Sequence, residues 1–419
     1  MNEKRLLILG SLEDLLILTK LAVSRGIYTV VADGNDGIAK KHASKAYTFD
    51  LHDTDMLDRI IKEERIDHVL TSFSDILFEM MVKTCERNQL PCYCPADKMR
   101  YLRDKNMMKE MFKKLGIPSA NAQRLVSDCI SEDDITIPFP CVVKPADGWG
   151  SKGLKIVHSY QELKDHVEDS MNLSTSGCEA MLETINMGYE LNVMSWIKDG
   201  KVYLVEFGDR ETSEMTEDSL PHQSREIFPS VFYRELEDIV KNTLLKVANY
   251  CGIKEGPLSM QFFYENGEIS VGEVCGRFFG YGQGIVPVIS GLDPNELLLN
   301  MVYSPEANNE VLRKTELAFD HCSVALYILP KPGMIRDIGN VMDFKNEHTD
   351  FFRSYVKPGV STQYIPWIVW IYAHFDTREE ADIYTRDLYE NLFVPDLDGN
   401  NLVSSNSLVS YDGKKWKSM

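Results

Sequence analysis

The sequence has no apolar run long enough to span a bilayer, no Gly-x-Gly-x-x-Gly phosphate loop, no second cysteine pair at zinc spacing and no surplus of positive charge. Each absence excludes something. Without a spanning segment the chain is expected to be soluble. Its start, MNEKRLLILG, enters a short strand rather than a long apolar region with a cleavage site, so the cytoplasm is the expected compartment. Nine cysteines without regular spacing read as reduced thiols rather than a disulfide scaffold. Cys92 and Cys94 have no partner pair that would make a zinc site. With 45 Lys and Arg against 64 Asp and Glu, the net charge of −19 argues against nucleic acid or an anionic membrane as a general partner. A small anion would need only a local basic pocket.

What is present is a chain of 419 residues, long enough for two to four domains. Its first part alternates short apolar strands (6–10, 28–33, 46–49, 68–72) with helical stretches, the pattern of a parallel sheet covered by helices. Gly10 and Asp33 end the first two strands, where a dinucleotide could sit. The helix after Gly10 opens Ser11-Leu12-Glu13-Asp14, however, and an acidic start repels a pyrophosphate. Residues 1–96 therefore read as a structural half-Rossmann domain.

The chemistry concentrates in residues 256–284, GPLSMQFFYENGEISVGEVCGRFFGYGQG. Beta-forming residues flank an Asn-Gly turn signal, which predicts a hairpin. On its second strand Glu273, Cys275 and Arg277 alternate, so one face carries an acid, a soft ligand and a permanent cation. A two-residue turn pairs Glu265 with Glu268 and sets Gln261 opposite Gly272, pointing away from Glu273. A three-residue loop with Gly267 left-handed sets Gln261 opposite Val271, sharing a face with Glu273. The second geometry is the expected one, because diagonal partners on one face can share a metal ion.

Gln261 followed by Glu273-x-Cys275-x-Arg277 resembles the terminal motif of the ATP-grasp enzymes, where an acid or amide on one strand precedes Glu-x-Asn-x-Arg on the next. The resemblance extends to the carbamoyl phosphate synthetases, biotin carboxylases and amino-acid ligases of that superfamily. It implies that Gln261 and Glu273 hold magnesium, or manganese, on the phosphates of ATP and that Arg277 steadies an acyl phosphate. Cys275 stands where the family usually has an asparagine binding a second magnesium. Magnesium prefers oxygen ligands, so a thiol there weakens that second site.

Other motifs follow in the family's order. Asp104-Lys105-Asn106 ahead of Phe112-x-x-x-Gly116-Ile117-Pro118 resembles the segment whose basic residue reaches the α-phosphate, which implicates Lys105. Lys144, directly after the apolar strand Cys141-Val142-Val143, is costly to bury without a charged partner. The resemblance makes that partner the ATP phosphates. Gly148, Gly150, Ser151 and Gly153 form a loop whose N–H groups could close over phosphates. Glu183, Thr184 and Ile185 resemble the hinge that reads adenine, and Glu190 the acid that binds the ribose.

A long loop is expected from Asp209 to Pro229. Within it Arg210, His222 and Arg225 are candidate contacts to a substrate carboxylate, although exposed loop residues fit equally well. The tail suggests a small mixed sheet with one helix near 378–391, in a structural or dimer role.

The resulting expectation is an α/β and α+β multidomain chain. A pre-ATP-grasp Rossmann-like domain (1–96) precedes an ATP-grasp domain (97–315, with a lid at about 121–184) and a C-terminal α+β domain (316–419). The implied function is an ATP-dependent carboxylate–amine ligase acting on small amino-acid-like substrates. A homodimer is the family expectation. Two other readings stand beside it: an ATP-binding protein with little or no turnover, and a carbamoyl phosphate- or carboxylase-type enzyme that needs a partner subunit.

Overall fold

The computed structural model describes residues 3–147, 153–174, 179–213, 222–313, 321–404 and 408–409. Its first module runs β1 (Arg5–Leu9), α1 (Glu13–Ser24), β2 (Tyr28–Asp33), β3 (Lys45–Thr48), α2 (Thr54–Glu63), β4 (His68–Leu70) and α3 (Asp75–Asn88). The four strands form a parallel sheet in the order β3-β2-β1-β4, as the alternating pattern predicts. Leu6, Leu7, Ile8 and Leu9 are all fully buried. A strand covered on both faces needs such a continuous apolar run. Asp33 closes β2, and its carboxylate is used internally, accepting from Ser11 Oγ at 2.8 Å.

Next come α4 (Ala96–Met99) and α5 (Lys105–Leu115). Asp104 caps α5 by accepting from the amides of Asn106 and Met107, and Gly116 ends it in the left-handed conformation at φ 63°. The following small sheet contains β5 (Ala122–Leu125), β6 (Cys141–Pro145), β7 (Lys155–Val157) and β8 (Ala180–Thr184), with α6 (Tyr160–Asn172) packed on it.

The remaining strands are β9 (Tyr189–Lys198), β10 (Lys201–Ser213), β11 (Gln223–Phe228), β12 (Glu255–Glu265), β13 (Glu268–Cys275), β14 (Cys322–Ile328), β15 (Thr349–Ser354) and β16 (Val369–Phe375). Helix α7 (Tyr233–Cys251) lies between β11 and β12. After β13 come α8 (Gly282–Ser290), α9 (Pro294–Tyr303) and α10 (Asn308–Arg313), and α11 (Arg378–Asn391) follows β16. All eight strands join one sheet in the order β13-β12-β9-β10-β11-β14-β16-β15, with residues 408–409 added at the end of β10.

Two expectations are corrected here. The tail does not build a separate small sheet: β14 pairs with β11 through Arg225↔Leu326 to Phe228↔Ser323, so the central sheet continues into it. Residues Asp209–Ser213 and Gln223–Phe228 are ladder strands rather than a loop. Among the described residues no helix is long and apolar enough to cross a membrane.

The strand geometry decides the fate of Arg225. It is only 1% exposed. Its Nε donates to Glu211 Oε2 at 2.6 Å, and its Nη1 donates to Asp382 Oδ1 at 2.8 Å and Thr385 Oγ1 at 3.0 Å. Beside it Arg378 reaches Asp209 Oδ2 at 2.8 Å. This buried network fastens α11 to the sheet. Removing one partner leaves an uncompensated charge inside, so Arg225→Ala is expected to lower unfolding stability by about 3–5 kcal/mol in urea denaturation. A loss under about 1 kcal/mol would show that Arg225 is a surface residue free to meet substrate.

Candidate active site

The hairpin sets the site's register. Asn266 and Gly267 both have positive φ, 52° and 87°, and Glu265 pairs with Glu268. That is the two-residue turn, not the expected three-residue loop with Gln261 opposite Val271. Phe262 pairs with Val271, and then the register slips by one residue, so Gln261 stands directly opposite Glu273. The extra residue is Gly272, where an added Cβ would come within 2.6 Å of the Phe263 ring. A bulge at glycine thus achieves what the turn does not: Gln261 and Glu273 share one face.

Around this pair the basic residues gather. Lys105 Nζ lies 3.5 Å from Glu273 Oε1. Lys144, at the end of β6, pairs with Glu183 Oε2, and Lys109, which the sequence reading missed, reaches Glu183 Oε1 at 2.5 Å. Burial pushes the Glu183 carboxyl up, but the two ammonium charges outweigh it and hold the group below the usual range. Burial also lowers Lys109, in spite of Glu183. Lys109 was findable, since it lies one helical turn after Lys105 on α5. Ile185 follows β8 in a turn held by Asn186, whose Nδ2 donates to Ser270 Oγ at 3.0 Å and whose Oδ1 accepts from Gly188 N at 3.0 Å.

Glu190 sits beside Gln261. Its Oε2 accepts from Gln261 Nε2 at 2.5 Å and pairs with Arg210. To bind a ribose this carboxylate would have to exchange partners. Arg210 is therefore on the face of Gln261 and Glu190, whereas Arg225 is removed to the network described above. His222 is exposed just before β11. Gly148, Gly150 and Ser151 lie outside the described residues. Gly153 is described at φ 72°, wedged so that a Cβ would meet Leu173 and Pro145.

Arg277 is fixed from the first module. Its Nε donates to Asp75 Oδ1 at 2.9 Å, its Nη2 bonds Asp75 Oδ2, and its Nη1 donates to the Phe278 carbonyl at 3.0 Å. Three of five N–H groups are thus engaged. Asp75 opens α3 just after the Ser74 cap, and Tyr93 Oη donates to the Gly276 carbonyl at 2.6 Å. Nothing local to the strand sequence announces Asp75, which is 202 residues away.

The oxygen donors of Gln261 and Glu273 suit a hard divalent cation, for which one or two protein ligands completed by phosphates and water suffice. Cys275 does not suit it. The side chain is buried, with Sγ 3.5 Å from the Arg277 carbonyl, and burial pushes the thiol up to about 12. At neutral pH it is an uncharged thiol, a poor ligand for magnesium. Among the described residues no group of three or more His, Cys, Asp or Glu is arranged to hold a metal by itself. At pH 8 iodoacetamide is expected to label exposed Cys129 and leave Cys275 unmodified, as read by peptide mass spectrometry. Labelling of Cys275 at a rate like that of Cys129 would mean that it is a thiolate and restore it as a ligand.

Residues 137–284 match a family model described as an ATP-grasp domain. The ATP-grasp enzyme fsqD of Aspergillus fumigatus is 28% identical over 151 residues, covering 33% of this chain and 25% of that protein. The carbamoyl phosphate synthase large chain of Clostridium beijerinckii is 26% identical over 263 residues, 60% of this chain and 24% of that one. The chain thus spans about a quarter of the length of these curated relatives. Among solved structures, an L-amino acid ligase from Bacillus licheniformis superposes with a TM-score of 0.79 at 17% identity, over 94% of this chain and 99% of that one. At that identity the likeness is one of fold. Residues 137–284 are therefore an ATP-grasp domain, in a chain that has the ATP-grasp fold.

Proposed function

We propose that the protein is an ATP-dependent carboxylate–amine ligase, acting on small amino-acid-like substrates through an acyl phosphate and releasing ADP and phosphate. The observation that carries this reading is the direct pairing of Gln261 with Glu273, two oxygen donors on one face, with Lys105 beside them. Magnesium or manganese held there would draw the nucleotide phosphates in and neutralise their charge.

The chain's own residues would do the rest. Lys144 and Lys109 exchange Glu183 for phosphate oxygens, so charges already paired in the free protein are kept ready for an anion. Lys105, next to the cation, meets the α-phosphate. Arg277, oriented by Asp75, presents its remaining N–H groups to the oxygens on which charge grows as the phosphoryl group moves to the carboxylate. The homodimer and the cytoplasmic location belong to the same proposal.

A second reading, nucleotide binding without turnover, draws on Cys275, which supplies no ligand where the family usually has asparagine. The two separate in one experiment: phosphate release from ATP with magnesium, across amino acids and small acids singly and in pairs, beside Glu273→Ala. Release should require a pair of substrates and fall at least about 100-fold in the variant. ATP binding with no release on any pair would leave the binding protein as the reading.

A further inference from the structure

The site face extends beyond the cation pair. Asn192 stands opposite Gln261 on one side and Gly208 on the other, and Arg210 stands opposite Glu226. Along β10, Glu206, Gly208 and Arg210 alternate on this face. Glu206 and Glu226 are both 0% exposed. Their carboxylates converge over Gly208: a Cβ there would collide with Glu206 Oε1 and lie 3.2 Å from Glu226 Oε1.

Their hydrogen bonds do not account for them. The Tyr281 hydroxyl bridges the two, 3.1 Å from Glu226 Oε1 and 3.4 Å from Glu206 Oε2, and can donate to only one. Glu226 Oε2 accepts from Asn192 Nδ2 and Gln223 Nε2, each at 3.1 Å. Glu206 Oε1 has no hydrogen-bond partner among the described residues. Neither carboxylate forms an ion pair among the described residues, because Arg210 is taken by Glu190. Burial first, and then the charge of Glu226, pushes Glu206 well above the carboxylate range; burial does the same to Glu226 despite Arg210. Both carboxyls are thus biased toward the protonated form. An orphan carboxylate oxygen beneath a missing side chain is costly in a finished core and suits a place that a cation fills.

The available acceptors match one kind of cation. Glu206 Oε1, Glu226 Oε1 and the Tyr281 oxygen offer three acceptors, and a primary ammonium has three donors. The pair lies two to three strand spacings from Gln261, roughly 10–14 Å. That distance leaves room for a phosphoryl group and a short substrate. Tyr281 is also in the segment that immediately follows Arg277.

We propose that Glu206 and Glu226, with the Tyr281 hydroxyl, receive the protonated amino group of an α-amino acid whose carboxylate is the one activated. This rests on the ligase reading above and narrows it to a substrate class. An amino group held as ammonium has no free lone pair and cannot attack, so the subsite takes the acyl donor rather than the incoming amine. On binding, the proton held by the acid pair passes to solvent and the ammonium replaces it.

The test uses the full chain with magnesium and a non-hydrolysable ATP analogue. Binding of free L-amino acids, their N-acetyl forms and their α-hydroxy counterparts is measured by calorimetry in two buffers of different ionisation enthalpy. Free amino acids should bind with release of roughly one proton. Both analogues should bind about 100-fold more weakly or worse. Glu206→Gln should weaken amino-acid binding at least about tenfold while leaving affinity for the analogue of ATP unchanged. Tyr281→Phe, which removes only a hydroxyl, should weaken it less and covers the case in which Glu206→Gln does not fold. N-acetyl amino acids bound within about threefold of the free ones, no free amino acid bound at all, or wild-type binding by the folded variants would each overturn the subsite. Phosphate release that fails on every pair while these binding results hold would count against turnover and leave the subsite standing.

Discussion

The arrangement depends on one residue of slippage between β12 and β13. Side chains alternate across a strand, so a hairpin with the regular Asn266-Gly267 turn would send Gln261 and Glu273 to opposite faces. The bulge at Gly272 reverses that for every residue beyond it. Glycine is demanded there because the Phe263 ring occupies the space of a side chain. The ladders on the other side of β12 place Glu190 and Asn192 beside Gln261 and continue one polar face through Gly208 and Arg210 to Glu226, and the slippage adds Glu273 to that face.

Buried charge is handled in three ways in this chain, and the differences separate scaffold from site. Arg225 with Glu211 and Asp382, and Arg378 with Asp209, are closed sets in which each charge meets its opposite, and they bind α11 to the sheet. Glu183 with Lys109 and Lys144 is also paired, but with two cations on one acid, a surplus that an anion could share. Glu206 and Glu226 form no ion pair among the described residues, since Arg210 beside Glu226 is bonded to Glu190. Completeness marks structure, and imbalance marks a place for a ligand.

Much of the fold was legible in the sequence, because it is local. The parallel β-α alternation of the first module and the helix at 378–391 follow from periodicity. The cation pair was legible as a motif but its register was not, since a bulge depends on Phe263 packing across the hairpin. The segment around 209–229 misled because its charged residues look like a solvated loop. Asp209 and Arg225 are instead buried by pairing with Arg378 and Asp382, far along the chain, and Glu226 is buried beside them without an ion pair among the described residues. Asp75, which holds Arg277, could not be seen from either segment alone, because the contact joins two modules.

The most direct test of the central arrangement is manganese binding with a non-hydrolysable ATP analogue, followed by electron paramagnetic resonance. If Gln261 and Glu273 hold the cation, wild-type protein gives a saturable bound signal that needs the nucleotide. Glu273→Ala and Gln261→Leu should each weaken it at least about tenfold, while Cys275→Ala leaves it unchanged. An equal signal in all four proteins would show that the cation is held elsewhere and would contradict the register-based site.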